Sequence, residues 1–127
     1  MKIWPFDIAA ERTGGWDISP DELKTALKPF EQIRETVGEA MDIMVEFHSL
    51  WSLPMAKKLA RELAPFKTYW HEDPFRLDNI ADLKDYAASS QAFVCASETL
   101  AYTHAFREYL ESGAAGVVML DLSWCGG

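Results

Sequence analysis

The chain has 127 residues, a formal net charge of −8 and 49% apolar residues, which is enough to bury one core and excludes a disordered chain. The acidity excludes a basic nucleic-acid surface and leaves carboxylates available to a cation. No apolar run approaches the roughly 18 residues of a membrane span, Met1-Lys2-Ile3-Trp4-Pro5 lacks a signal-peptide layout, and Cys95 and Cys125, without motif spacing, read as reduced thiols of a cytoplasmic protein.

Residues 2–4 read as the end of a first strand, stopped by Pro5. The polar, glycine-bearing stretch 9–16 is predicted as a loop. Ser19-Pro20-Asp21-Glu22 starts a helix: Ser19 caps, Pro20 suits the first helical position, and Glu22 completes a capping box. That helix is expected to reach Val37, stop at Gly38, and kink or split at Pro29. A second strand is predicted over 41–46, followed by a helix with Met55, Leu59 and Leu63 at fourfold spacing, closed by Pro65. The third strand, 68–72, ends in the turn Asp73-Pro74. A helix over 79–88 puts Ile80, Leu83 and Ala87 on one side, and a strand follows over 92–96. The last helix, 102–112, is expected to bury Tyr102, Phe106 and Tyr109 or Leu110 and to end at Gly113, before a strand over 116–120.

Five strands alternating with four helices predict an α/β fold with a parallel sheet. Right-handed crossovers make it a partial (β/α)8-type, TIM-like barrel in one domain, 1–127, because a complete barrel needs about 250 residues. Its first and last strands are open edges, so self-association is expected. Polar chemistry in such folds collects at the carboxyl ends of the strands. Three runs end there in an acid at equal spacing: Glu46, Glu72 and Glu98, with 72 − 46 = 26 and 98 − 72 = 26. A fourth run ends at Asp121, 23 residues after Glu98.

Strand residues two apart share a face, so Glu46 goes with Met44 and His48, and Lys2 with Trp4. Three carboxylates from adjacent strands repel one another unless a cation sits among them, and oxygen-only ligands suit Mg²⁺. The plainer alternative is polar strand ends facing solvent. His71 is turned away from this mouth by alternation, and His104 lies on a helix, facing solvent.

Four motifs taken in order, Val45-Glu46-Phe47-His48-Ser49, Trp70-His71-Glu72-Asp73-Pro74, Ala96-Ser97-Glu98-Thr99 and the stretch from Asp121 to Gly127, resemble the enolase superfamily. The nearest branch is the mandelate racemase-like sugar-acid dehydratases, and Pro54 through Pro74 is similar to the galactonate dehydratase type. The resemblance implies that Glu46, Glu72 and Glu98 bind an essential Mg²⁺, with Glu46 departing from the family's usual Asp. It implies that His48 is the general acid for a departing hydroxyl and that Asp121 orients a histidine base on a following strand. Lys2 matches the first lysine of the family's Lys-x-Lys pair, while Trp4 stands in place of the second, which argues against racemisation. The implied reaction is proton abstraction alpha to the carboxylate of a hexonate-like sugar acid, then loss of the β-hydroxyl. The capping domain and last barrel strands of that family are not represented, so the stretch alone is expected to be inactive.

Two other readings stand beside this one. The chain is alternatively a non-catalytic α/β binding or structural domain that retains strand-end acids. A complete flavodoxin-like domain ranks last, because no glycine-rich phosphate loop follows the first strand.

Overall fold

The computed structural model describes residues 1–126; Gly127, the last residue of the terminal motif, lies outside them. The elements run β1 (Lys2–Ile3), α1 (Asp7–Thr13), α2 (Pro20–Val37), β2 (Met44–Glu46), α3 (Leu53–Leu63), a 3₁₀ turn (Ala64–Phe66), β3 (Trp70–Glu72), α4 (Ile80–Ser89), β4 (Phe93–Ala96), α5 (Tyr102–Glu111) and β5 (Val117–Val118). All strand pairs are parallel and their order in the sheet is β1-β2-β3-β4-β5. Sequential order with helical crossovers is the wall of a (β/α)8-type barrel, here five strands of it.

Alternation divides the sheet into two faces. Ile43, Val45, Phe47, His71, Val94 and Ala96 are all buried, on the face covered by the helices. There Phe6 stacks on Phe47 with centroids 5.6 Å apart, and Leu59, Leu63, Leu83, Tyr86 and Tyr109 close the layer from α3, α4 and α5. Each such side chain contributes about 1.5–3 kcal/mol of hydrophobic burial. The opposite face carries Lys2, Met44, Glu46, Trp70, Glu72, Phe93 and Cys95, and much of it is open: Phe93 is 53% exposed. The helical positions follow their predicted faces, with Leu59, Leu63 and Leu83 buried and Met55, Ile80 and Ala87 half-buried.

Several expectations are corrected. Residues 9–16 are not a loop throughout: α1 occupies Asp7–Thr13, so there are five α-helices rather than four. Ala9 and Ala10 bury against the core, and Gly14, at φ 63°, ends the helix in the left-handed conformation that glycine adopts without cost. Pro29 does not split α2, which runs unbroken over 18 residues. Ala26 and Phe30 on either side of it are buried, and that packing outweighs the roughly 3 kcal/mol cost of an internal proline. The capping box forms as expected: Ser19 Oγ accepts from Glu22 N, and Ser19 N donates to Glu22 Oε2. The strands are shorter than their apolar runs, β2 starting at Met44 and β5 ending at Val118. Tyr102 is 65% exposed rather than buried, and Tyr109 alone in α5 is fully inside.

Candidate active site at the strand ends

Residues Glu46 and Glu72 are Cα partners across β2 and β3, and both are buried. Lys2, from the neighbouring β1, reaches between them: its Nζ lies 2.9 Å from Glu46 Oε2 and 2.7 Å from Glu72 Oε1. The remaining oxygens are also held. Glu46 Oε1 accepts from the backbone N–H groups of Phe47 and His48 at 3.2 and 3.1 Å, and Glu72 Oε2 accepts from Trp70 Nε1 at 3.1 Å. One positive charge is thus shared by two desolvated carboxylates, the arrangement that makes buried acids tolerable. Burial pushes the Glu72 carboxyl up, Glu46 beside it adds to this, and Lys2 opposes. Partial burial disfavours the Lys2 ammonium, but its bonds to Glu72 and Glu46 outweigh that and hold it protonated well above the usual lysine range.

The third acid, Glu98, sits on the loop after β4 and is exposed. Among the described residues no three His, Cys, Asp or Glu side chains gather closely enough to hold a metal ion. The sheet therefore brings together Glu46, Glu72 and Lys2, with Glu98 outside that group.

His48 lies two residues past Glu46 at φ 50°, and its Nδ1 is 2.9 Å from Oδ2 of Asp7, the first residue of α1. Trp4 meets the His48 ring edge-on, with centroids 6.3 Å apart. Asp121 lies in a turn beyond β5, where its Oδ1 accepts from the backbone N–H groups of Ser123 and Trp124 at 2.7 and 3.0 Å. His71 faces the helix layer and bonds Thr68 Oγ1 at 2.9 Å and Tyr86 Oη at 2.7 Å. Both cysteines are free thiols, and burial, with Glu72 and Asp73 nearby, pushes Cys95 up to about 12.

Two rim residues escaped the reading of the sequence. Asp73, at φ 42°, is buried with Oδ1 unpartnered, and burial, with the charges of Glu72 and Glu98, raises its carboxyl to about 6. Asp7 lies between Pro5, where the first strand stops, and the stretch 9–16 that reads as a loop, so no element is predicted to place it. The signal lay in chain direction: an acid within three residues of Trp4, where β1 has just ended, falls on the same rim as Glu46 and His48.

These features match known proteins. The chain is 61% identical to an enolase of the mandelate racemase subgroup from Agrobacterium tumefaciens, with a TM-score of 0.97, covering 100% of this chain and 35% of that one. It is 44% identical to an enolase protein from environmental sequencing of the Sargasso Sea, TM-score 0.94, covering 100% of this chain and 34% of that one. Over 96 residues it is 38% identical to a D-galactonate dehydratase of Xanthomonas campestris, which is 76% of this chain and 25% of that enzyme. The chain thus spans about a quarter to a third of the length of these relatives. With the family model matching residues 3–127, the chain belongs to the enolase C-terminal domain-like family.

Proposed function

We propose that the inner rim of this sheet is the cation-binding part of a Mg²⁺-dependent acid-sugar dehydratase site. The observation that carries the reading is the pair Glu46 and Glu72, buried side by side on adjacent strands and sharing one positive charge. Two of the three acids suit the ion as they stand: Glu46 and Glu72 offer carboxylate oxygens, a donor type Mg²⁺ takes, and the Lys2 ammonium already marks where a cation is favoured, while Glu98 would have to come in from its loop. Glu46, Glu72 and, from the β4 loop, Glu98 would hold it. Bound there, Mg²⁺ supplies a Lewis acid for the carboxylate of the substrate. The D-galactonate dehydratase among the relatives points to a hexonate-like sugar acid.

Within the chain, His48 is the proton donor to the departing β-hydroxyl. Lys2 is the candidate base, and it can accept a proton only once it has lost its own and left the two carboxylates. Asp121 is the residue to orient a histidine base from elsewhere, although Oδ1 is here committed to its own turn. With Trp4 in place of a second lysine, this stretch alone is expected to lack turnover. Its exposed inner face and the two-residue edge strands β1 and β5 favour self-association. Two free thiols and the absence, among the described residues, of a helix able to cross a membrane suit a cytoplasmic setting.

Lys2 supports one second reading, a non-catalytic domain in which the lysine permanently neutralises the acids. Calorimetric titration with D-galactonate, with and without Mg²⁺, separates the two, coupled to an assay for 2-keto-3-deoxy product. The dehydratase reading expects Mg²⁺-dependent binding without turnover by the stretch alone. Absence of binding at millimolar Mg²⁺ would favour the second reading.

A further inference from the structure

We propose that Asp7 is the positioning residue of His48, holding its imidazole in the Nδ1–H form with Nε2 left free for proton transfer. The inference rests on the dehydratase reading for its purpose, but its geometry stands on the structure alone.

Adjacent parallel strands deliver the two groups to one rim. β1 ends at Ile3 and the chain turns through Trp4-Pro5-Phe6, so Asp7 opens α1 beside the exit of β2, where His48 lies. Asp7 Oδ2 and His48 Nδ1 are 2.9 Å apart. At that distance a lone pair on this nitrogen would face the carboxylate's own, so the contact favours a proton on Nδ1. The other ring nitrogen then holds the lone pair or, in the imidazolium, the transferable proton. Among the described residues no hydrogen bond engages Nε2.

His48 is fixed from other sides as well. Its backbone N–H donates to Glu46 Oε1 at 3.1 Å, and the edge-on Trp4 ring limits its rotation. The chain tolerates unfavourable local features around this contact. The His48 backbone is in the left-handed region that non-glycine residues rarely occupy, and Asp7 Oδ1 is buried without a partner. Half-exposed ion pairs contribute little to stability, so folding alone does not account for such an arrangement. Strained and unsatisfied groups cluster where function needs a side chain held. Burial also raises the Asp7 carboxyl, with His48 opposing, consistent with a desolvated acid that depends on this one partner.

The test is long-range ¹H–¹⁵N correlation of the histidine rings at about pH 8, where ordinary imidazoles are neutral. The chain has three histidines, and His48→Gln assigns the signal. Wild type is expected to show Nδ1–H at His48. Asp7→Ala should switch it to the Nε2–H form that free histidine prefers, with little change in melting temperature. Asp7→Asn, whose amide oxygen accepts the same bond, should retain Nδ1–H. Nε2–H in wild type would overturn the proposal without any variant. So would an Asp7→Ala protein that keeps Nδ1–H, or one that loses much of its thermal stability while the ring signal stays as in wild type. Ring spectra need neither Mg²⁺ nor substrate, so failure here is distinct from failure of the dehydratase reading, which shows as missing Mg²⁺-dependent binding.

Discussion

His71 and Glu72 are consecutive residues of β3, both buried, yet they face opposite sides of the sheet and are stabilised in opposite ways. His71 lies under the helices, where two neutral hydroxyls, Thr68 and Tyr86, satisfy both ring nitrogens. Burial holds its pKa down to about 4, so it stays uncharged. Glu72 faces the open side and takes an ammonium and an indole N–H as partners. The outer face therefore carries polar groups that have been made neutral, and the inner face carries charges that need a counter-charge. Only the second arrangement offers the charged oxygens that the proposed cation site needs, and a one-residue change in register would exchange the two roles.

The largest test of this contrast uses two phenylalanines. Phe47→Ala on the sealed face should cost about 3–5 kcal/mol of unfolding free energy, the usual range for a fully buried aromatic. Phe93→Ala on the open face should cost under about 1 kcal/mol, as for exposed positions. Urea denaturation measures both. Equal costs would mean that the inner face is packed in solution, by a second copy or another segment.

A second test uses pH, with EDTA present. His71 has a folded pKa of about 4 against an ordinary 6.5, so its stabilising neutral form is fully present above 6.5 and stability is lost as pH falls towards 4. Asp73 is raised, first by burial, from 3.8 to about 6, so its contribution is full below 3.8 and is lost as pH rises through 6. The two slopes oppose each other across nearly the same window, each amounting to about 3 kcal/mol at its limit. Relative to wild type, His71→Gln should tilt stability downward as pH rises from 4 to 6, and Asp73→Asn should tilt it upward. Changes of slope of the same sign in both variants would contradict the assignment.

A smaller effect is expected at Thr68→Val, which leaves the buried His71 Nε2 without its partner. The cost should be about 1–2 kcal/mol, read from the shift in urea midpoint at constant slope.

Much of this division is written in the chain. The acids spaced 26 residues apart mark strand ends, period-two alternation separates Glu72 from His71, and fourfold leucines place α3 on the sheet. What the sequence hides depends on contacts between distant segments. α1 forms because Ala9 and Ala10 find a core to pack against, and nothing local to a glycine-bearing stretch announces that. Pro29 survives in α2 for the same reason. The equal spacing of the three acids implies one cluster, but spacing cannot show that Lys2 from β1 sits between two of them while Glu98 stays exposed on its loop. Asp121 follows a strand in sequence, but its side chain is taken up by the turn it starts.

The most direct measurement compares Mg²⁺ titrations by calorimetry for wild type, Glu72→Gln and His71→Gln. If Glu72 is a ligand as proposed, removing its charge should weaken Mg²⁺ binding at least about tenfold, a change of about 1.4 kcal/mol, whereas His71→Gln, one residue away on the sealed face, should bind within about twofold of wild type. Equal loss in both variants, or no loss in Glu72→Gln, would contradict the claim that alternation along β3 separates a cation-binding face from a neutral one.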